Sequence, residues 1–291
     1  MKRFSTSIAL LLTFCAISSA SHAEDEIPVL EGPYLGQTPP GLTPEPFAPG
    51  IVTTNGWEVS GVFTPDMNEF YFIRDSKDKK TMEFVVFKNE NNQWHETIIS
   101  KRVGQPFISP DGKIMHLGRR YQERTKDGWS EIKSLGSPYS ELPIMRLTAS
   151  SKGTYVFDEA AEDGNGVIRY SRLVEGKREE PKPFPKEINT GKYNVHPFIA
   201  PDESYLIWDG QRDSEVRNAD LFISFRRSDG SWGEAINMGP KINTYGGEAG
   251  ASVTPDGKYL FFNRNMTPGN YHNVDIVWVD AQIIETLRPK Q

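Results

Sequence analysis

Hydrophobic residues along this chain occur in short runs, and the same turn signal recurs between them. Each copy has an apolar run that ends in Thr, Ser or Ala, followed by Pro-Asp and a second strand-like run. Pro fixes φ for the second position of a turn, and Asp and Gly suit the positions after it, so each copy predicts a β-hairpin. The four clear copies are Val62-Phe63-Thr64-Pro65-Asp66, Phe107-Ile108-Ser109-Pro110-Asp111-Gly112, Phe198-Ile199-Ala200-Pro201-Asp202 and Ser252-Val253-Thr254-Pro255-Asp256-Gly257.

A second element follows each hairpin and completes a four-stranded unit. A third strand-like run is followed by a Trp-x-Glu segment, as in Gly128-Trp129-Ser130-Glu131 and Ser231-Trp232-Gly233-Glu234. A degenerate fifth hairpin lies at Arg146–Gly153, and the five turns are spaced about 47 residues apart, a spacing typical of a propeller blade.

The last unit lacks a fourth strand, and the N-terminal part of the chain supplies a matching segment. Residues 44–54 resemble residues 233–244, which hold the fourth strand of the preceding unit. The sequence therefore predicts an all-β fold, a single five-bladed β-propeller of four-stranded antiparallel blades whose ring is closed by an N-terminal strand. Six blades remain the alternative.

The repeat resembles the Pro-Asp (WD-like) β-propeller repeat of the TolB-like family. The resemblance rests on Thr254–Phe262, on Asp220–Phe225 and on Gly230–Glu234, and repeats of this kind extend over most of the chain. It implies a propeller of the kind found in periplasmic scaffolds, in the gating domains of prolyl-peptidases and in polysaccharide-acting enzymes.

The N-terminal segment predicts that the protein is exported. Lys2 and Arg3 precede an apolar run from Ile8 to Ile17, and Ser21-His22-Ala23 offers a small-x-small cleavage pattern. We expect a signal peptide over 1–23, an extended strap over 24–44, the propeller over 45–280 and a short helix and tail over 281–291. The expected location is periplasmic or secreted, with no membrane span because the apolar run is too short, although an uncleaved anchor is the alternative.

Charge and composition argue against several classes of partner and binding site. A net charge of -6 and one cysteine, Cys15, disfavour duplex nucleic acid, a disulfide and a cysteine metal site. The histidines lack metal-ligand spacing, and Asp163-Gly164-Asn165-Gly166 fits a hairpin loop better than a calcium loop. We expect no cofactor and no metal, and a monomer.

Equivalent positions of the blades predict a ring of polar residues at the channel mouth. Glu58 and Glu248 stand seven residues before a turn proline, whereas Arg74, Arg119 and Arg264 stand nine after one. The arginines either bind a carboxylate or phosphate, or form the cross-strand ion pairs Glu58–Arg74 and Glu248–Arg264. Arg119 faces Val103 in this alignment, so its charge is the least compensated by an acidic partner. The candidate ligand-binding residues are Glu58, Arg74, Arg119, Asp158, His196, Asp209, Arg212, Glu248 and Arg264.

Two functions compete for this ring. The first is a binding or scaffold module that holds an envelope protein, a peptide or a small anionic ligand. The second is a carbohydrate-active enzyme, since glycoside hydrolysis needs only two positioned carboxylates, with Glu58, Asp158, Glu159, Asp209 and Glu248 as candidates. An arginine partner lowers a carboxyl pKa and disfavours a general acid, so the sequence favours binding and assigns no catalytic residue. A purely structural envelope protein is the third possibility.

Overall fold

The computed structural model describes residues 30–161, 166–211, 218–269 and 271–290. The expected signal peptide and the loop at Asp163 therefore lie outside the described residues, apart from Gly166. The described chain is an all-β ring of five antiparallel blades, which confirms the predicted five-bladed propeller.

The strands follow the predicted order. Before the first blade come a 3₁₀ turn at Tyr34–Gly36 and β1 (Glu45–Pro46). Blade 1 contains β2 (Glu58–Phe63), β3 (Glu69–Asp75), β4 (Met82–Glu90) and β5 (Gln93–Lys101); blade 2 contains β6 (Pro106–Ile108), β7 (Ile114–Leu117), β8 (Arg120–Thr125), β9 (Gly128–Trp129) and β10 (Lys133–Ser134). Blade 3 contains β11 (Leu147–Ala149), β12 (Tyr155–Glu159), β13 (Val167–Ser171), an added hairpin of β14 (Leu173–Val174) and β15 (Lys177–Arg178), and β16 (Lys182–Pro183). Blade 4 contains β17 (Lys192–Ile199), β18 (Tyr205–Gln211), β19 (Asp220–Phe225) and β20 (Ile236–Asn237); blade 5 contains β21 (Glu248–Val253), β22 (Tyr259–Asn265) and β23 (Val274–Asp280), followed by α1 (Gln282–Thr286).

The first strand of each blade lies innermost. The five inner strands β2, β6, β11, β17 and β21 contact one another in a ring around the central axis. All five run from the same end of the propeller, which we call the mouth face, towards the Pro-Asp turns at the other end, which we call the turn face.

An N-terminal strand closes the ring, as predicted. Glu45 lies opposite Trp278 and Pro46 opposite Val277, so β1 is the fourth strand of blade 5. Phe47 follows it with no exposed surface, and its ring lies 4.9 Å from Phe70 and 5.1 Å from Trp278. Since Phe70 belongs to blade 1 and Trp278 to blade 5, this side chain joins the two blades at the seam.

The strap crosses the same seam on the turn face. The Trp94 indole of blade 1 donates a 2.7 Å hydrogen bond to the Gly32 carbonyl, and the Tyr34 hydroxyl donates one of 2.5 Å to Asp256 of blade 5. The described part of the strap is thus packed against both blades.

The repeated tryptophans serve packing, as their common position predicts. Trp129 donates to the Tyr71 hydroxyl of the preceding blade at 2.8 Å, and Trp232 meets the Phe184 ring of the preceding blade edge-on at 5.6 Å. The side chains that hold neighbouring blades together therefore recur from one blade to the next.

Candidate functional site

Three inner strands contain the same backbone irregularity. Ser60, His196 and Gly250 each stand five residues before a turn proline and have φ values of 62°, 49° and 65°. A register shift of the strand pairing accompanies each of them. Such a bulge turns one backbone N–H out of its own sheet, where it needs another acceptor.

That acceptor is a side chain on the second strand of the preceding blade. We call these three hydrogen bonds the central clasps, because they join neighbouring blades near the axis. The bonds are His196 N–H to Asp158 Oδ2 at 2.8 Å, Gly250 N–H to Asp209 Oδ1 at 2.9 Å and Ser60 N–H to Asn263 Oδ1 at 2.9 Å.

Asp158 has the most partners of the three acceptors. Its side chain is fully buried, and its Oδ1 also accepts the backbone N–H groups of Met145 and Arg146 at 2.8 and 3.0 Å. Burial raises the pKa of Asp158, against the opposing effects of His196 and of the three N–H donors. This carboxyl is enclosed by the fold.

A buried arginine and a partly buried histidine accompany the buried acids. Arg146 is 3% exposed and donates to the Ala251 carbonyl at 2.9 Å, and burial lowers its pKa to about 10, so it stays charged at neutral pH. His196 Nδ1 lies 3.0 Å from Asp209. Burial lowers the pKa of His196. The charge and hydrogen bond of Asp209, together with the charge of Asp158, outweigh this effect, so the pKa of His196 is raised. Sequence reasoning missed Arg146, whose only signal was a charged residue next to an apolar strand.

Glu58 and Glu248 lock the loops that lead into their strands. Glu58 accepts the backbone N–H and hydroxyl of Thr54 at 3.2 and 2.6 Å, and Glu248 accepts the same groups of Thr244 at 2.8 and 2.6 Å. Burial raises the pKa of both carboxyls, although the threonine donors act against it. The recurring Thr-x-x-x-Glu spacing was visible in the sequence and would have identified this role.

The two predicted ion pairs have different outcomes. Both glutamates lie opposite their expected arginines, and Arg264 Nε binds Glu248 at 2.9 Å, which confirms the second pair. The prediction of a Glu58–Arg74 ion pair is wrong. Arg74 binds Glu83 at 3.2 Å and Glu96 at 2.7 Å, because β4 and β5 bring these acids alongside it while Thr54 holds Glu58.

Arg119 does not lie opposite Val103, because the second strand of blade 2 ends before it reaches Arg119. Its inner hairpin has its last pair at Pro106 and Leu117, so Arg119 occupies the tight turn before β8, where it is exposed. Arg120 instead donates to the Val103 carbonyl. Arg119 makes a 3.4 Å contact with the Ser140 carbonyl and no ion pair with any residue that the structure describes. Arg212 lies outside the described residues.

Large apolar and aromatic side chains are exposed on the mouth face, and sequence reasoning missed them. Four of them stand in the loops that lead into inner strands or leave β22, and Tyr193 stands at the start of β17, places where single apolar residues give little periodic signal. Their exposed fractions are 37% for Met145, 48% for Tyr193, 80% for Tyr245, 41% for Met266 and 55% for Tyr271.

Asp275 predicts a pH dependence of stability. It is 7% exposed, its Oδ1 has no hydrogen-bond partner within the described ranges, and burial together with Glu58 raises its pKa to about 6. The folded chain therefore binds this proton more tightly than the unfolded chain, and stability should fall as pH rises from about 4 to about 6. We expect Asp275→Asn to raise the free energy of unfolding at pH 8 by about 1–2 kcal/mol and to flatten this pH dependence in urea titrations. Asp280→Asn, at the end of the same strand, is the control; an equal gain there would contradict the assignment.

The described residues contain no group of three or more His, Cys, Asp or Glu side chains placed to bind a metal ion. Within the same ranges, no helix is long and apolar enough to span a membrane.

Comparisons with known proteins support the fold alone. No family model and no curated protein matches the chain. The catalytic domain of the Coprinopsis cinerea GH62 α-L-arabinofuranosidase has a TM-score of 0.52 at 7% identity, over 83% of this chain and 97% of that one. TolB from Acinetobacter baumannii has a TM-score of 0.45 at 13% identity over 78% of this chain, which spans 57% of the length of that TolB. A thermostable family-43 glycoside hydrolase has a TM-score of 0.49 at 14% identity, over 78% and 90% of the two chains.

Proposed function

We propose that the chain is a binding module that holds a protein, peptide or small anionic ligand on its mouth face. The observation that carries this proposal is that the candidate carboxylates already have internal partners. Threonines hold Glu58 and Glu248, the central clasps hold Asp158 and Asp209, and Glu159 pairs with Arg169.

Hydrolysis of a glycoside needs two carboxyl groups that face the substrate, one of them free to give up a proton and the other to attack or to activate water. A carboxylate that accepts two or three hydrogen bonds from its own chain is poorly placed for either role. This argument favours binding over the carbohydrate-active alternative.

The mouth face has the composition of a contact surface. Exposed tyrosines offer large rigid contact areas with a polar tip, and such residues are typical of binding sites. Arg119 adds a cation without an acid partner among the described residues, so we propose that the ligand presents a carboxylate or another anion to it. Glu58, Glu248, Asp158 and Asp209 bind parts of this chain and stabilise the loops and inner strands beside the mouth face.

The place of action is part of the same proposal. The basic, apolar and small-residue segments within residues 1–23 support export, and we propose that the protein acts in the periplasm or outside the cell as a monomer.

Capture from an envelope extract tests the mouth face. An immobilised Arg119→Ser/Tyr193→Ser/Tyr245→Ser variant should retain the captured partner at least about tenfold more weakly than the wild-type chain, as measured by quantitative mass spectrometry, because exposed aromatic and arginine residues dominate contact energies.

The matched control changes exposed apolar residues on the outer strand of blade 1. An Ile98→Ser/Ile99→Ser variant removes side chains that are 49% and 46% exposed and should retain the partner as the wild type does. Equal retention by all three chains, or loss only in the isoleucine variant, would contradict the proposal.

A further inference from the structure

A second crevice lies on the turn face, at the opposite end of the ring from the mouth. Its volume is about 330 Å³, and it lies between blades 2 and 3. The Ser109-Pro110-Asp111 turn forms one wall and the degenerate turn Ser150–Gly153 the other. Side chains of His116, Tyr155 and Arg178 complete the lining.

His116 is the first indication of a ligand. It stands on β7, is 1% exposed, and its Nδ1 has no hydrogen-bond partner among the residues that the structure describes. Its ring meets the Tyr155 ring edge-on at 5.1 Å. Burial, aided by the charge of Arg178, lowers the pKa of His116 to about 3. At neutral pH the ring therefore keeps one N–H donor and one lone pair.

Arg178 is the second, independent indication. It belongs to β15, in the hairpin that blade 3 adds to the common pattern. Its guanidinium lies 3.4 Å from the centre of the Tyr155 ring, and Nη1 donates to the Gly153 and Ser171 carbonyls at 2.8 and 2.9 Å. Within the described ranges it forms no salt bridge. The cation is thus fixed in position, and no carboxylate of the described residues pairs with it directly.

We propose that this crevice binds the carboxylate group of a small ligand. One carboxylate oxygen accepts from the donors of Arg178 that the two carbonyls leave free, and the other accepts the N–H of His116. A planar group with two oxygens and a single charge matches one guanidinium and one neutral imidazole.

The rim favours a single negative charge over a phosphate dianion. Asp111 stands there, and its carboxylate is partly neutralised by the Ser109 hydroxyl at 2.6 Å, the Lys113 backbone N–H at 3.1 Å and the Lys113 ammonium at 3.7 Å. The remaining charge of Asp111 opposes a dianion more strongly than a monoanion.

A carboxylate of this size comes either from a free organic acid or from the C-terminus of a peptide. Titration calorimetry with butyrate, with triglycine and with triglycine amide separates the two sources. We expect binding of triglycine or of butyrate, each of which carries one carboxylate, and none of triglycine amide. Binding of triglycine alone identifies a peptide terminus, and binding of butyrate identifies a free acid.

Variants test the two assigned side chains. Arg178→Gln and His116→Phe should each weaken binding of the positive probe by at least about tenfold, with circular dichroism melts confirming the fold, while Arg178→Lys retains part of the affinity. Arg172→Gln is the matched control, because Arg172 lies in the same blade and is paired with Glu179. Binding of neither acid, equal binding of triglycine amide, or binding that survives Arg178→Gln would overturn the proposal.

Discussion

An Asp158→Ala variant is expected to lose about 3–5 kcal/mol of unfolding free energy, because it breaks a buried and charged network. The change leaves the N–H groups of Met145, Arg146 and His196 without their acceptor near the axis. It also removes a carboxyl group from beside the buried Arg146 and the partly buried His196. Each effect alone is costly in the interior.

Urea titration and thermal melts measure this loss, and the melting temperature should fall by about 10 °C. Asp202→Ala removes an exposed aspartate of a Pro-Asp turn and should change stability by less than about 1 kcal/mol. If the two variants lose the same free energy, the central clasp at Asp158 does not hold the blades as described.

Removal of residues 24–53 is expected to abolish cooperative folding. This segment contains the strap, β1 and the side chain of Phe47, so its loss opens the seam between blades 1 and 5 and exposes the sheet edge at β23. The free energy that the buried contacts of this segment contribute is comparable to the whole free energy of unfolding of a domain. Far-ultraviolet circular dichroism and calorimetry should show no single melting transition.

A point variant keeps the seam testable in folded protein. Phe47→Ala should lower the free energy of unfolding by about 3–5 kcal/mol, because the ring is fully buried between two blades. Leu42→Ala, at a side chain that is 39% exposed, is the control and should have little effect. A cooperative melt of the deletion variant at the wild-type temperature would show that β1 does not close the ring.

Repetition made the fold predictable. The hydroxyl and carboxyl groups of Thr64 and Asp66 accept the backbone N–H groups of Glu69 and Asn68, so the turn is built from residues adjacent in sequence. Copies of such a local structure can be counted along the chain. The closing strand was predictable for the same reason, since it repeats the fourth strand of blade 4.

The candidate site was less predictable, because its contacts join different blades. The sequence places the acidic residues Asp158 and Asp209 near the mouth. Only the bulges at His196 and Gly250 turn backbone N–H groups of the next blade towards these side chains, which accept them. Positive φ at His196 has no sequence signal, whereas Gly250 has a weak one. The position of Arg119 depends on where the hairpin of blade 2 turns, and repeat spacing does not determine that.

The central claim is that the carboxylates around the channel serve the fold and that the mouth face binds its ligand without cleaving it. The most direct test is the mass of the ligand recovered from the wild-type chain after prolonged incubation. The account predicts an unchanged mass, with retention lost in the Arg119→Ser/Tyr193→Ser/Tyr245→Ser variant. A ligand shortened by hydrolysis, and left intact by an Asp209→Asn variant, would contradict it.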